Sequence, residues 1–306
     1  LLVFLYWLKP MNLTFKQLRL VRALAETGSV SRAADRMHIT QPTASDQLKD
    51  VASAVGFPIY HLVSRRVQMT ELGLELAAAA GDIIDRLEEF EQVRDQVAGL
   101  SRGRLKVAAV STAKYFIPRW VGAFCEEFPG IEVSLQILNR DGVLARLKQH
   151  ADDLYVMSMP PSGMALSDQV FMKNDLVLIA PNTGSMKDLP ATLGELAKQR
   201  FILREQGSGT RMAVEQAFAA LNIRPDIRME LGSNEAVKEA VAAGLGLGVV
   251  SQHALPPNPA DGGLVQLEIS GFPIQSAWHV VYPKSRRLSP VAKRFHQQLL
   301  ARSVGV

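Results

Sequence analysis

The feature that most constrains this chain is a series of short amphipathic segments near its start, broken where a helix cannot continue. From Thr14, the apolar residues Phe15, Leu18, Val21, Leu24 and Ala25 recur at three to four, and Gly28 ends the run. Val30, Ala33, Ala34 and Met37 form a second, shorter stripe, followed by the tight connection His38-Ile39-Thr40. Thr40 can cap the next helix and Pro42 is tolerated in its first turn. Ala44, Leu48, Val51 and Val55 line the inner face of that third helix, which ends near Gly56. Its outer face begins with small polar residues, so the pair of helices predicts a helix-turn-helix. A recognition helix with small side chains can sit deep in a major groove and reach base edges. Alternation over 59–62 and 67–69 predicts two short strands tipped by Ser64-Arg65-Arg66, a basic wing placed to touch phosphates or the minor groove.

Charge agrees with that placement. Residues 11–70 hold eight Lys/Arg against four acids, an excess equal to the +4 of the whole chain. A small basic module on a near-neutral body points to nucleic-acid contact at the N-terminus, and the helix-turn-helix makes double-stranded DNA the expected partner. The candidate DNA-facing residues are Arg32, Gln41, Pro42, Thr43, Ser45, Asp46, Lys49, Arg65 and Arg66.

Residues 1–10 contain an apolar run of eight, far short of the ~20 a spanning helix needs. With no basic stretch before it and no small-residue cleavage site after it, the segment reads as a start-site extension ahead of Met11. No membrane span is expected. Beyond the wing, Leu76, Ala80, Ile83, Leu87, Phe90 and Val97 are spaced four, three, four, three and seven. That is a coiled-coil seam, and it predicts a dimerising linker helix within 71–100.

From Arg104 onward, strand and helix patterns alternate. Strands are expected over 105–110, 131–138, 153–159, 175–180, 201–204, 227–231, 248–251 and 278–282. Helices are expected over 113–128, 142–150, 211–221, 235–243 and 290–301. The class is α/β, with room for two hinged lobes in 101–306. Ligands in such sheets bind beyond the strands' carboxyl ends. Polar strand-to-helix junctions there make Ser111, Thr112, Gly207, Ser208, Thr210, Arg211 and Asn234 candidates for a small anion, with Lys114 and Asn139 beside them. Gly244-Leu245-Gly246-Leu247-Gly248 follows a helix and precedes a strand, the reverse of a dinucleotide fingerprint, and reads as a helix stop.

No nucleophile, metal-ligand or cofactor motif occurs, and the six histidines are scattered, so neither catalysis nor a cofactor nor a metal is expected. Cys125 is the single cysteine, which excludes an intrachain disulfide and reads as a structural thiol. Two other classes share the α/β body. A solute-binding protein would carry a secretory signal and no helix-turn-helix, and an α/β enzyme would carry catalytic or cofactor motifs.

The run from Ser29 to Gly73 resembles the winged helix-turn-helix of LysR-type transcriptional regulators without a gap. The matching points are Ala33-Ala34, Thr40-Gln41-Pro42, Ser45, Gln47, the Gly56-x-Pro58 pair and Thr70-Glu71-x-Gly73. Asp46 and Ala52-Ser53 depart from the pattern. In the family, the residues matching Gln41, Pro42, Thr43 and Ser45 lie against DNA. The segments AAVSTAKYFIPRWVGAFCEEFPGIEV, DDLYVMSMPP, LREQGSGTRMAVEQAF, MELGSNEAVKEAVAAGLGLGVVS and HVVYP are similar to the Calvin-cycle carbon-fixation subgroup (CbbR/RbcR-like), which grades into regulators of other pathways such as sulfur and nitrogen. Gln206 stands where proline is common. The resemblance implies two Rossmann-like, periplasmic-binding-protein-like subdomains, lobe I at about 104–172 and 272–301 and lobe II at about 173–271. It also implies a cytoplasmic homotetramer that works with RNA polymerase on promoters and answers to a phosphorylated metabolite or nucleotide.

Overall fold

The computed structural model describes residues 11–63, 66–97, 102–182, 190, 192–222 and 224–302. The chain divides into two compact units, 1–94 and 95–306. The expected extension 1–10 and Arg65 lie outside the described residues, as do the side chains of Arg66 and Val97.

The first unit opens with α1 (Phe15–Thr27), α2 (Val30–Arg36) and α3 (Gln41–Val55). Thr14 and Gln17 form a reciprocal capping box on α1, and Ser29 and Thr40 cap α2 and α3. Gly28 and Gly56, with φ of 60° and 84°, end α1 and α3 in the left-handed conformation that glycine adopts without a side-chain penalty. The inner stripes meet in one core of Leu20, Val21, Leu24, Ala33, Ala34, Ala44, Leu48, Val51 and Ile59. The antiparallel hairpin of β1 (Tyr60–Val63) and β2 (Arg66–Met69) follows. β1 starts one residue later than the alternation predicts, because Ile59 turns into the core.

The helix α4 (Glu71–Val97) grows out of the hairpin. Thr70 donates its hydroxyl to the Pro58 carbonyl at 3.0 Å and accepts the Gly73 N–H at 3.0 Å. A Cβ at Gly73 would overlap the Ile59 carbonyl, so the helix can approach the wing this closely only with glycine there. Farther along, Asp85 receives an Arg22 N–H at 3.0 Å, tying α4 to α1. This packing corrects the expected seam. Ala80 is fully buried and Leu76 packs on the helix-turn-helix core, whereas Ile83 (48%), Leu87 (39%) and Phe90 (63%) stand exposed.

In the second unit, one five-stranded sheet has the order β4-β3-β5-β12-β6: β3 (Gly103–Val110), β4 (Ile131–Leu138), β5 (Leu154–Met157), β6 (Leu166–Lys173) and β12 (Ala277–Pro283). The other has the order β11-β7-β10-β8-β9: β7 (Leu176–Pro181), β8 (Arg200–Arg204), β9 (Asp226–Leu231), β10 (Leu247–Ser251) and β11 (Leu264–Leu267). The period of two sets the layers. Leu105, Val107 and Ala109 face a core with Phe124 of α5 (Ile117–Glu127), and Ala108 faces the other side with Val143 and Leu147 of α6 (Arg140–Lys148). The second sheet repeats the scheme. After the short α7 (Leu193–Leu196), α8 (Gly209–Ala220) covers Leu176 and Leu178 through Val214 and Phe218. Val177 and Ile179 face Val237 and Val241 of α9 (Asn234–Ala242). The final helix α10 (Pro290–Ala301) returns Phe295 and Leu299 to the first sheet.

Two crossover strands join the lobes: Leu176 and Ile274 exchange N–H···O bonds at 2.9 Å, and Asn174 donates to the Ser276 carbonyl. The helix expected over 113–128 is split into a 3₁₀ turn (Ser111–Tyr115) and α5, with Phe116 non-helical between them. Pro118 explains the break, since its ring would clash with the carbonyl four residues back. The alternation missed β6 and β11, which are both edge strands. Edges need no continuous apolar run, and Ser167, Asp168 and Gln169 mask β6. Gly244, at φ 77°, follows α9 as a stop, and a Cβ at Gly248 would press on Val241 and Val237.

Gly73→Ala is expected to destabilise the first unit by about 1–3 kcal/mol through overpacking against the hairpin. Scanning calorimetry should show its transition lowered while that of the second unit holds. An unchanged first transition would contradict the close approach at Ile59.

Candidate functional site

Two surfaces carry the predicted site residues, one in each unit. In the first, Gln41, Pro42, Thr43, Asp46 and Lys49 lie exposed on α3, Ser45 is half-buried, and Arg32 is exposed on α2. Ala44 and Leu48 anchor the opposite face, so packing alone fixes which side chains look outward. Lys49 pairs with Asp46 at 3.0 Å, so that acid is locally balanced. The Thr43 and Thr40 hydroxyls share a hydrogen bond at 2.8 Å. Arg22 and Arg36 both pair with Glu26, and Arg22 also meets Asp85, an acid outside residues 11–70, which offsets one charge of the basic excess.

In the second unit, the carboxyl ends of β3, β4, β5, β8 and β9 supply the groups that meet between the lobes. Thr112, Ser208, Thr210, Arg211 and Asn234 are all buried. Asn234 donates to the Thr112 hydroxyl at 3.1 Å across the seam. The group that gathers them is Arg204, at the last position of β8, with a side chain only 3% exposed. It reaches Thr112, Ser111 and Asn234 at a long 3.4 Å each and pairs with both oxygens of Glu205. Sequence reasoning missed it because an Arg ending an apolar strand gives no sign of being buried. The fork expected from Arg211 is already occupied: it donates to the Arg204 carbonyl at 3.0 Å and to Glu215 at 2.6 Å, with Glu230 at 3.6 Å. Arg211 therefore braces the loop and offers no free charge. Lys114 is likewise paired, with Glu235 across the seam at 2.8 Å.

Asn139 caps α6, accepting the Gly142 N–H at 2.9 Å. The residue after it was also missed. Arg140 is 9% exposed, and one of its nitrogens donates to the Met159 carbonyl at 2.6 Å. The other, Nη1, is buried without a hydrogen-bond partner. Burial pushes its pKa down, offset in part by the neighbouring Asp141. A cation in a helix's first turn also opposes the helix dipole, and that is the sequence signal that could have revealed it. The Ser158-Met159 turn held by Arg140 lies against the start of α8: a Cβ at Gly209 would stand 2.5 Å from the Ser158 hydroxyl. Gly207, at φ 80°, turns the loop beside Asp141. The seam thus brings together Ser111, Thr112, Gly207, Ser208 and Asn234 with Arg204, and sets Arg140 on the lobe I side of the same loop.

A winged helix-turn-helix followed by a two-lobed α/β unit with a polar seam defines a ligand-responsive DNA-binding protein. Residues 15–74 match the bacterial regulatory helix-turn-helix family of lysR type, and residues 98–303 match the LysR substrate binding domain. The chain belongs to the LysR family of transcriptional regulators. It is 39% identical over 296 residues to the HTH-type transcriptional activator CmpR of Synechocystis sp., covering 96% of this chain and 97% of that protein. It is 42% identical over 294 residues to the RuBisCO operon transcriptional regulator of Acidithiobacillus ferrooxidans, covering 95% and 94%. Among solved structures, the Synechocystis CcmR regulatory domain in complex with 2-PG superposes with a TM-score of 0.63 at 40% identity. That match covers 67% of this chain and 99% of the other. No helix among the described residues is long and apolar enough to cross a membrane.

Glu235 gives the seam a pH dependence. Burial works to raise its pKa, but hydrogen bonds from Lys114 and Tyr115 prevail and hold it at about 2, against 4.5 for the free group. A depressed carboxylate stabilises the fold fully above the unfolded value and loses that contribution as pH falls through the folded one. Glu235→Gln should therefore lower the melting temperature at pH 7 and flatten its fall between about pH 4.5 and 2. The same acid slope in both proteins would remove the bridge from the stability of the seam.

Proposed function

We propose that this chain is a LysR-type regulator of carbon-fixation genes whose promoter binding answers to a small anion with two charged ends, of the 2-phosphoglycolate class. The observation that carries the ligand reading is Arg140, a buried guanidinium with an unpartnered N–H beside the seam. A second guanidinium, Arg204, stands on the lobe II side with only long contacts across to lobe I. The starts of α8 and α9 add backbone N–H groups and a favourable dipole. A phosphate at one end and a carboxylate at the other satisfy such a pair. CmpR, the RuBisCO operon regulator and the 2-PG complex of CcmR support the pathway. The effector acts by binding one lobe arrangement more tightly than another, which shifts the DNA-binding state. The chain works by binding and not by turnover, in the cytoplasm and alongside RNA polymerase.

The exposed stripe of Ile83, Leu87 and Phe90 on α4 is the dimer seam in this reading, and two dimers make the homotetramer. A two-fold axis there lets paired α3 helices read half-sites. Gln41, Pro42, Thr43 and Ser45 face base edges, Arg32, Lys49, Arg65 and Arg66 face phosphates, and Asp46 restrains Lys49.

Two outcomes follow. In calorimetric titration of the full chain with 2-phosphoglycolate, Arg140→Gln should weaken binding by about 10- to 100-fold, the scale of a charged hydrogen bond. Equal affinity would remove Arg140 from the site, and binding of sulfite or 2-oxoglutarate instead would move the chain to sulfur or nitrogen control. Gln41→Ala should relax sequence preference at one base pair per half-site, by about 1–3 kcal/mol, in competition binding with operator variants. Loss of affinity that is uniform across all sequences would mean that Gln41 contacts only the backbone.

A further inference from the structure

Lobe I carries a cavity built from residues that take no part in the seam. It measures about 660 Å³ and lies between β6, β12 and α10. Its lining includes Tyr282, Lys284, Arg286, Arg287, Lys293 and His296, and no carboxylate. The sequence explains the imbalance, since residues 284–302 contain six Lys/Arg and no Asp or Glu. Arg286 is answered by Asp153 at 3.4 Å and by the His150 and Asp152 carbonyls. Lys284, Arg287 and Lys293 are exposed and hold no ion pair among the described residues.

At the inner wall lies His296, 8% exposed, its ring edge-on to Tyr282 with centroids 5.7 Å apart. Its Nε2 is buried and has no hydrogen-bond partner. Burial holds the imidazole below its ordinary pKa. A buried polar atom left unpaired costs about 1–3 kcal/mol, and cations gathered around a cavity without acids repel one another. An anion relieves both when Nε2 carries the imidazole proton and donates it. The volume falls within the ~300–1,000 Å³ of small-molecule sites, and a group that reaches His296 must enter the cavity, which a macromolecular backbone lying across the rim does not do.

We propose that this cavity is a second anion site, one that takes a small phosphorylated or otherwise multiply charged metabolite, with Lys284, Arg287 and Lys293 at its rim and His296 at its depth. The lobe then reads two anions, one at the seam and one on its outer side, and the sites are chemically separable.

The test uses the full chain, inorganic pyrophosphate as probe, and the His296 Cε1–H resonance as local reporter. Titration is expected to shift that resonance saturably. The double variant Arg287→Gln/Lys293→Gln should weaken the effect by about tenfold or more, equivalent to 1.4 kcal/mol. Arg294→Gln is the control: it removes one charge from the same helix, but its guanidinium lies over the Phe128 ring, 4.7 Å from the centroid, and does not line the cavity. That variant should bind as the parent does. A His296 resonance that pyrophosphate does not move, or equal weakening by the control and the double variant, would overturn the proposal.

Discussion

A guanidinium buried between two lobes must be answered by oxygen, and much of the second unit is arranged around that requirement. Arg204 ends β8 inside the seam, with Glu205 as its counter-charge, and reaches into lobe I through the hydroxyls of Ser111 and Thr112. Its own carbonyl is held by Arg211, which is braced in turn by Glu215. The crossovers at Asn174 and Ile274 keep the lobes in register, and Gly209 lets α8 begin against Ser158. The contacts across the seam are long where Arg204 meets Thr112 and Ser111 and short where Lys114 meets Glu235. The long contacts of Arg204 toward lobe I and the partnerless Nη1 of Arg140 are the two features on which the proposed anion site rests.

The first unit obeys a different constraint, that of covering a very small core. Ten buried residues are served by three helices and a hairpin, and each helix is started by a Thr or Ser cap. Because Ala33, Ala34 and Ala44 are small, the helices pack closely and α3 turns its polar face outward. The long α4 carries Leu76 on that core and buries Ala80 and Ile84, while Leu72, Leu74, Ile83, Leu87 and Phe90 stand exposed along it. Leu76 and Ala80 are thus spent on the unit's own packing and are not free for the proposed dimer seam.

Much of this was legible in the sequence, for identifiable reasons. Thr40, Gly28 and Gly56 mark helix ends through backbone chemistry that tertiary packing does not override. The strands buried on both faces, such as β7 with five buried residues in a row, announce themselves as apolar runs. β6 is hidden by Ser167, Asp168 and Gln169 and β11 by its length of four residues, whereas the other two edge strands, β4 and β9, read as strands. The structure sets the candidate anion residues at strand ends, as their spacing implies, while the partners of the arginines are not visible in the sequence. Sequence shows that a position is Arg and is blind to whether Glu215 already holds it, as with Arg211, or whether Nη1 is left without a partner, as with Arg140.

An anion received at the proposed seam site orders the segments that line it, and amide hydrogen exchange of the full chain, with and without 2-phosphoglycolate, reads that ordering. Added protection is expected only in the turn after β3, the starts of α6, α8 and α9, and the crossovers. Protection spread evenly over the second unit, or none at those helix starts while binding is saturated, would contradict it.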